Sequence, residues 1–269
     1  MSASSAADGH TVSVVIPVLD DAAHLRVCLA HLARQTRPAD EVVVVDNGSR
    51  DDSAAVARSF GARVVAEPER GIPAASAAGL DAAIGSLLLR CDADTRAPAD
   101  WIERIVACFA AEPGLDALTG PGVFYDQPGR RGLVRSRAYA AAYRWAAGAA
   151  LAGTPVWGSN LALRAAAWRE VSGRVHRRRP DVHDDLDLSF PLALAGRTVR
   201  FDPQLRVGAA GRIFHSLGER VRQGRMAAAT LRVNWAILPP GLRWVRRLSP
   251  DRPRSPRSPR GWSGPAGSS

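Results

Sequence analysis

The sequence predicts an α/β protein with a mostly parallel β-sheet and helices on both of its faces. Two observations lead to this fold class. Short β-branched and leucine-rich runs alternate with longer segments in which apolar residues recur at helical spacing. The runs are apolar throughout, as in strands that are buried on both faces of a parallel sheet. Because ligands bind at the carboxyl ends of such strands, the residues that follow each run are the candidate site.

The first half of the chain repeats a plan of strand and helix. The segment "VSVVIPV" predicts the first strand, and "AAHLRVCLAHLARQ" places apolar residues at helical spacing after it. The segment "EVVVV" predicts the second strand, followed by a turn at residues 46–51 and a helix capped near Asp51 or Asp52. Two more strands are predicted in "ARVVAEP" and "GSLLLRCDAD", with helices in "GIPAASAAGLDAA" and "PADWIERIVACFA".

After about residue 120 the pattern changes. We expect a helix in "RSRAYAAAYRWAAGAALAG", a strand or turn leading into a helix in "VWGSNLALRAAAW", and a helix in "DDLDLSFPLALAG" followed by the short strand "TVRFD". Residues 217–248 read as helical, with a break at Pro239 and Pro240. The predicted organisation is a flexible N-terminus at 1–10, the main domain at 11–215, a C-terminal helical segment at 216–248, and a disordered Arg-, Pro- and Ser-rich tail at 249–269.

Composition narrows the classes of function. All 36 basic residues are arginine, so neither a P-loop lysine nor a Schiff-base lysine is available. The net charge of +10 is concentrated near the end, where residues 243 to 260 contain seven arginines and one acidic residue, Asp251. This basic segment has three readings: a solvated end, a membrane-surface anchor with Trp244 and Trp262, or a nucleic-acid arm. We favour the first, place membrane contact second, and expect no specific nucleic acid.

The sequence says less about the chemistry of the cysteines and about the cellular location of the protein. The three cysteines are odd in number and lack metal-ligand spacing, which indicates reduced thiols and gives no sign of zinc. The opening "MSASSAADGH" lacks the basic start and apolar run of a signal peptide, and no stretch of about 18 uninterrupted apolar residues occurs. We therefore expect a cytoplasmic protein without a transmembrane helix, with the inner face of the membrane as a further location.

The segment "LLLRCDADTRAPADW" ends an apolar run in two aspartates, Asp92 and Asp94. Side chains two apart on an extended chain point the same way, so both carboxylates can face one small ligand. Two converging negative charges repel each other. Either a cation lies between them, or one carboxylate is protonated or held by Arg90 or Arg96. Alternatively, both aspartates bind no ligand and only cap the turn into the next helix.

Acidic residues also follow the first two strands, as Asp20 and Asp46. No G-x-G-x-x-G stretch follows either strand, which disfavours a dinucleotide dehydrogenase. Asp46 can accept hydrogen bonds from a ribose diol or a base N–H, whereas Asp92 and Asp94 can hold Mg²⁺ or Mn²⁺ against phosphates. Together these residues predict a site for a nucleoside diphosphate, although "DNGS" is also a good turn sequence in any protein.

Five segments in this order and spacing resemble the family 2 glycosyltransferases of the GT-A fold. They are "VSVVIPVLDD", "VVVVDNGSRDDS", "CDAD", "GSNLALRAAAW" and "HDDLDLS", and the resemblance covers about residues 12 to 215. It implies a nucleotide-sugar transferase with a Rossmann-like, mostly parallel sheet. It also implies inverting transfer of a sugar from a nucleotide-sugar donor with the help of a divalent cation, Mn²⁺ or Mg²⁺. The acceptor is unidentified, and a lipid-linked acceptor is one candidate.

The resemblance also implies roles for individual residues. The donor nucleotide would contact the ends of the first two strands and the start of the Asp-Xaa-Asp motif, at Pro17, Asp20, Asp46, Asn47 and Asp92. Asp94 would bind the metal, with Asp92 and His215 as further candidate ligands. Asp185 would act as the general base, with Asp184 as its competitor. The acceptor or sugar pocket would contain Trp157, Gly158, Ser159 and Asn160.

Each of these assignments has a structural alternative. Asp184 and Asp185 begin a predicted helix, where acidic residues are favoured by the helix dipole without any catalysis. Gly158 to Asn160 can be a simple turn, the histidine can be a partly buried residue with ordinary partners, and Trp157 can belong to the core.

The chain departs from the family pattern in two places, and these departures affect the predicted donor preference and mode of transfer. The family often has Ala-Arg-Asn-Xaa-Gly where this chain has "ASAAG" at residues 75–79, so donor preference is expected to be unusual. The Gln-Xaa-Xaa-Arg-Trp motif of processive synthases is missing, which favours addition of a single sugar. The alternative functions are a nucleotidyltransferase, which usually carries a Gly-rich loop after the first strand, and a non-catalytic protein that binds sugar nucleotides.

Overall fold

The computed structural model describes residues 9–127, 129–214 and 216–249. Nearly all of the N-terminus predicted to be flexible, nearly all of the arginine-rich tail, and the candidate ligand His215 lie outside these residues. The predictions for those segments therefore stay predictions.

Strands and helices alternate through the first half of the chain, as predicted. The strands are β1 (Val12–Val18), β2 (Glu41–Asp46), β3 (Arg63–Ala66), β4 (Leu87–Arg90), β5 (Ala117–Thr119), β6 (Gly122–Phe124), β7 (Leu161–Arg164), β8 (Val199–Phe201) and β9 (Val207–Ala209). The helices are α1 (Ala22–Leu32), α2 (Ser53–Ser59), α3 (Ile72–Ala82), α4 (Trp101–Ala111), α5 (Gly129–Leu151), α6 (Ala165–Val171), α7 (Asp184–Leu194), α8 (Leu217–Ile237) and α9 (Pro240–Leu248). A short 3₁₀ turn, Gly158–Asn160, precedes β7.

The central sheet has seven strands in the order β3-β2-β1-β4-β7-β5-β8. The first four strands of this order are parallel, and β5 and β8 are parallel to each other. Only β7 runs against its two neighbours, β4 and β5. A separate pair, β6 and β9, is parallel. The predicted mostly parallel α/β sheet is thus confirmed, and its parallel half places the ends of β1, β2 and β4 at one edge.

Each face of the sheet is covered by helices, which explains why the strands read as continuous apolar runs. Val14 and Ile16 face one side, where they pack with α1 and α4. Val15 and Val45 face the other side, where they pack with α3, α6 and α7. A Cβ on Gly79 of α3 would overlap the side chain of Val15, so the small residues of "ASAAG" let this helix lie directly on the sheet.

The last two helices pack against the rest of the protein. Leu231 and Trp235 of α8 pack on the cluster that contains Leu186 and Phe190 of α7. Asn234 also donates a hydrogen bond to a buried carboxylate of α7, with Nδ2 2.8 Å from Oδ1 of Asp187. The domain boundary expected between residues 215 and 216 stays a prediction. Within the described part of the chain, no helix is both long and apolar enough to span a bilayer.

Candidate active site

A cleft of about 880 Å³ opens at the carboxyl edge of the parallel strands. This volume lies in the range of about 300–1,000 Å³ that is typical of small-molecule sites. Its walls come from the ends of β1, β2 and β4, the 3₁₀ turn, the first turn of α7, and α5 and α8. The sequence-predicted residues that line it are Pro17, Asn47, Asp92, Asp94, Trp157, Ser159, Asp184 and Asp185.

Two of the predicted nucleotide-binding carboxylates shape the loops beside the cleft and do not line it. Asp46 Oδ1 accepts a hydrogen bond from the backbone N–H of Ser49 at 2.8 Å, which closes the turn after β2. Asp20 has a φ of 50°, and its Oδ1 accepts from the backbone N–H of Arg50 at 2.6 Å. Contact of Asp20 and Asp46 with a nucleotide stays a prediction. The neighbouring Asp21, which the sequence reasoning did not single out, lines the cleft instead.

Asn47 is buried and holds the loop that follows β3. Its Nδ2 donates to the backbone oxygens of Glu67 at 2.9 Å and Glu69 at 2.7 Å. Its Oδ1 accepts from the backbone N–H of Gly71 at 2.8 Å, just before α3 begins. Asn47 therefore fixes the rim of the cleft at the ends of β2 and β3.

The Asp-Xaa-Asp motif lies in a turn, not in the strand. β4 ends at Arg90. In the turn, the backbone N–H of Thr95 donates to the backbone oxygen of Asp92 at 3.0 Å, and the backbone N–H of Asp92 donates to Thr95 Oγ1 at 3.0 Å. The strand alternation expected from the sequence therefore does not explain why both carboxylates reach the cleft. The turn brings Asp92 and Asp94 to the same wall, and their side chains are 35% and 11% exposed.

Asp94 is paired with an arginine that the sequence reasoning missed. Arg212 Nε lies 3.1 Å from Asp94 Oδ2, and Arg212 also binds Asp21 at 2.6 Å. Burial, together with repulsion from Asp92, raises the pKa of Asp94 to about 6, although Arg212 opposes the shift. Arg96, one of the two expected partners, instead stacks over the ring of Tyr125 at 3.6 Å.

Arg90 joins the Asp-Xaa-Asp turn to the acidic start of α7. Its residue is only 3% exposed, and its Nη2 lies 2.9 Å from Asp92 Oδ1 and 3.1 Å from Asp184 Oδ2. Burial lowers the pKa of Arg90, but the attraction of Asp184, Asp92 and Asp185 raises it above its ordinary value overall. The pairing of Arg90 with Asp92, one of the alternatives the sequence offered, is therefore present as a permanently charged bridge.

The surroundings of Arg90 are shaped to admit its guanidinium group. A Cβ on Gly158 would overlap Arg90 Nη1, so only glycine fits at that position without displacing the arginine. Ser76 Oγ donates to Asp184 Oδ2 at 2.7 Å and lies 3.5 Å from Arg90 Nη2. Ser76 stands where the family often has arginine, so in this chain β4 supplies the positive charge beside α3.

Asp184 and Asp185 differ in their partners. Asp184 is bound by Arg90 and Ser76. Asp185 accepts hydrogen bonds from the backbone N–H groups of Gly158 at 3.0 Å and Leu186 at 2.7 Å. Desolvation and then repulsion from Asp184 raise the pKa of Asp185, and these effects outweigh opposing contributions from its other neighbours. Asp185 is thus the carboxylate of the pair without a direct arginine partner among the described residues.

The residues of the 3₁₀ turn point in different directions. Ser159 donates from Oγ to Asp92 Oδ2 beside the cleft. Asn160 is buried in the core, where its Oδ1 accepts from Trp101 Nε1 at 2.9 Å and its Nδ2 donates to the backbone oxygen of Leu205 at 2.6 Å. Asn160 therefore anchors the turn, and its contact with a sugar or acceptor stays a prediction.

Trp157 belongs to an aromatic wall of the cleft. Its ring centroid lies 5.8 Å from those of Tyr139 and Tyr143, and all three residues line the cleft. The edge-on and tilted arrangement is typical of packed aromatic residues. Burial, together with the charge of Asp185, raises the pKa of Tyr139 to about 12, so its hydroxyl stays protonated near neutral pH. The wall gives this side of the cleft an apolar surface on which a sugar ring can stack.

Asp92 and Asp94 have the donor atoms for a divalent cation. In residues 9–127, 129–214 and 216–249, no cluster of three or more His, Cys, Asp or Glu side chains forms a metal site. Two carboxylates are nevertheless suited to Mg²⁺ or Mn²⁺, because such ions usually take one or two carboxylates and complete their coordination with waters and substrate phosphates. The like-charge repulsion that raises the pKa of Asp94 is what a cation would relieve. The residues present therefore fit a metal that binds together with a diphosphate.

Comparison with solved structures identifies the fold. A mannosyltransferase from Pyrobaculum calidifontis, solved in complex with GDP-Man and Mn²⁺, superposes with a TM-score of 0.67 at 22% sequence identity, covering 88% of this chain and 68% of that one. The likeness confirms the predicted GT-A fold.

The family follows from the sequence match. The model of glycosyl transferase family 2 matches residues 13–167, more than half of the chain, and the protein belongs to that family. Glycosyltransferase AglE of Haloferax volcanii is 34% identical over 125 residues, which are 44% of this chain and 40% of the relative. An undecaprenyl-phosphate 4-deoxy-4-formamido-L-arabinose transferase of Pseudomonas savastanoi is 36% identical over 121 residues, 40% of this chain and 34% of the relative. The match spans less than half the length of either relative.

Proposed function

We propose that this protein is an inverting glycosyltransferase that moves a single sugar from a nucleotide-sugar donor to an acceptor hydroxyl. One observation carries the proposal: Arg90 bonds both Asp92 of the Asp-Xaa-Asp turn and Asp184 of α7. The candidate cation ligands therefore share one cleft with the candidate base, Asp185, which is the next residue of α7. Inverting displacement needs a base for the acceptor hydroxyl and positive charge for the departing diphosphate. Both kinds of group are available here.

Asp185 is the proposed base. Asp184 is already engaged, because Arg90 Nη2 and Ser76 Oγ both contact its Oδ2. Asp185 faces the same cleft with a raised pKa, and the backbone N–H groups of Gly158 and Leu186 fix its orientation. Asp184 and Arg90 then act as positioning residues, which hold α7 against the Asp-Xaa-Asp turn.

Asp92 and Asp94 are the proposed ligands of a divalent cation. When bound, such a cation stabilises the negative charge that develops on the diphosphate leaving group. Ser159 orients Asp92 through its hydroxyl, and Arg212 adds a second positive charge beside Asp94. The Mn²⁺ and GDP-Man held by the Pyrobaculum calidifontis mannosyltransferase support this proposal.

We extend the proposal to a lipid-linked acceptor at the inner face of the membrane. The Pseudomonas savastanoi relative is named for undecaprenyl-phosphate, which supports this class of acceptor. The apolar wall of Trp157, Tyr139 and Tyr143 supports a cleft that takes a sugar ring.

Asp94→Ala is expected to lower metal-dependent donor hydrolysis by at least about 100-fold, because a bound cation contributes several kcal/mol of charge stabilisation. The assay measures release of nucleoside diphosphate from UDP-, GDP- and dTDP-sugars, with and without Mn²⁺. Asp181→Ala is the matched control, since Asp181 is an exposed carboxylate paired only with Arg179. Donor binding without any metal-dependent turnover in the wild-type protein would favour a non-catalytic protein. Release of pyrophosphate from a nucleoside triphosphate would favour a nucleotidyltransferase.

A further inference from the structure

The short helix α9 is amphipathic. Unlike an ordinary surface helix, it turns its basic face toward the protein and its apolar face toward solvent. At 100° per residue, Arg243, Arg246 and Arg247 form one continuous arc and the apolar residues form the opposite arc. The arginine arc lines a cavity against the protein. The apolar arc is turned to solvent, with residues exposed by 40% to 75%: Leu242, Trp244, Val245 and Leu248. Trp244, at the edge of this arc, also donates from Nε1 to the backbone oxygen of Ala149 at 2.9 Å. A helix that exposes its apolar face needs an apolar cover.

The cavity beneath α9 is strongly basic. It has a volume of about 270 Å³ and lies between α9, α6 and the ends of α5 and α7, apart from the catalytic cleft. Its charged lining residues are four arginines and one acid: Arg174, Arg243, Arg246, Arg247 and Glu170. Glu170 is already paired with Arg197 at 2.9 Å, outside the cavity lining. The cavity therefore carries a surplus of positive charge.

Arg243 is the buried member of this group, with its residue only 3% exposed. Its Nε and Nη2 donate to the backbone oxygens of Leu238 at 2.6 Å and Asn234 at 2.7 Å, which close the end of α8. Its Nη1 is buried and has no hydrogen-bond partner in the described part of the chain. Burial lowers the pKa of Arg243 to about 10.

Arg243 differs from the other arginines with a buried nitrogen because no carboxylate pairs with it among the described residues. Three other arginines in the described residues have a buried nitrogen without a hydrogen-bond partner: Arg90, Arg197 and Arg200. Each of the three forms an ion pair with an aspartate or glutamate. Arg243 has no such pair among the residues the structure describes. Its Cζ lies 4.6 Å from the ring centroid of Phe190, a cation–π contact that leaves Nη1 without a hydrogen bond. An unpaired buried charge is costly, so an anion from outside would stabilise it.

We propose that α9 and the cavity beneath it bind an anionic lipid surface, with a lipid phosphate on the arginine arc and the apolar arc in the headgroup and acyl boundary. Arg246 and Arg247 are exposed at the rim of the cavity, where a headgroup can reach them. The site is separate from glycosyl transfer and gives the membrane contact proposed above a specific location.

Other occupants fit the two arcs less well. A nucleic acid would neutralise the arginines but would leave the apolar arc in water. A second copy of this chain related by a two-fold axis would cover the apolar arc, but its identical basic patch would supply no anion to the arginine arc. Capping of backbone oxygens at helix ends explains only part of the arginine cluster. Arg247 Nη1 donates to the backbone oxygen of Ala152, but Arg243 Nη1 has no hydrogen-bond partner among the described residues.

Flotation of the full chain with lipid vesicles tests the proposal. We expect binding to vesicles of phosphatidylcholine that contain phosphatidylglycerol and none to phosphatidylcholine alone. The Arg246→Gln/Arg247→Gln variant should lower the partition coefficient by about thirtyfold, since each basic residue near an anionic surface contributes about 1 kcal/mol. Arg26→Gln/Arg34→Gln removes the same charge from exposed positions on and just after α1. It should leave the partition coefficient within about twofold of the wild-type value.

A second pair of variants tests the apolar arc and does not depend on the arginine contacts within the fold. Val245→Asp should lower vesicle binding at least about tenfold, because it places a charge in the acyl boundary. Ile84→Asp, at an apolar position before β4 that is exposed even more than Val245, should leave vesicle binding unchanged. Equal losses in both members of either pair would overturn the proposal, as would wild-type binding to neutral vesicles. Stabilisation of the protein by inorganic phosphate without vesicle binding would also overturn it, since the anion would then be a free phosphate.

Discussion

Asp185→Asn is expected to bind the donor as tightly as the wild-type protein and to turn it over at least about 10² to 10⁴ times more slowly. The substitution keeps the shape of the side chain and one oxygen to accept a backbone N–H, but an amide cannot take a proton from an acceptor hydroxyl. Donor affinity should persist because the proposed cation ligands, Asp92 and Asp94, are unchanged. The comparison is made on kcat and on the dissociation constant of the donor, with water or a supplied acceptor as the nucleophile.

Asp181→Asn is the control for this experiment, because it removes an exposed carboxylate just before the same helix. It should leave both quantities unchanged. Normal turnover by Asp185→Asn would show that Asp185 is not the general base. Loss of donor binding in the same variant would instead assign Asp185 to the donor site.

Arg90→Met is expected to lower the free energy of unfolding by about 1.5–3 kcal/mol, because it leaves two partly buried carboxylates, Asp92 and Asp184, without their partner. It should also change the pH dependence of the reaction. Arg90 favours the ionised form of Asp185, so the pKa of Asp185 should rise when the guanidinium group is removed. The base is active only above its pKa. The acid limb of kcat/KM should therefore move to higher pH.

Arg63→Met is the matched control, because Arg63 pairs with Glu41 near the far edge of the sheet and is 44% exposed. Exposed pairs contribute about 0–1 kcal/mol, and the pH profile should stay in place. If Arg90→Met does not fold, the Ser76→Arg/Arg90→Met double variant tests the same idea, since Ser76 Oγ lies 3.5 Å from Arg90 Nη2. A folded Arg90→Met protein with an unchanged acid limb would show that Arg90 does not position the base.

The sequence predicted the parallel half of the fold well, and physical reasons explain why. β1, β2 and β4 are buried on both faces and so produce uninterrupted apolar runs that end in turn residues. β5, β6 and β9 have only three residues each, which is too short for any periodicity, and none of them was predicted. The antiparallel direction of β7 depends on where the chain returns to the sheet, which local patterns do not encode.

The candidate site was predictable where its residues are local in sequence and not where they are distant. The acidic pairs of the Asp-Xaa-Asp turn and of α7 stand out because two carboxylates lie close together in the chain. Arg212 pairs with Asp94 from a position more than 100 residues away, and no local pattern announces it. Asn160 was grouped with Ser159 by adjacency, but its side chain points into the core. Similarly, the spacing in α9 shows two arcs, and only packing decides which one faces the protein.

The central claim is that this cleft binds a nucleotide-sugar together with a divalent cation. Thermal shift with UDP-, GDP- and dTDP-sugars, each with and without Mn²⁺ or Mg²⁺, tests it most directly. A ligand at 100 times its dissociation constant stabilises the folded protein by about 2.7 kcal/mol, a readily measured rise in Tm. We predict such a rise with one class of donor, only when metal is present, and its loss in Asp94→Ala. No rise with any donor and metal, at concentrations that stabilise other glycosyltransferases, would contradict the account.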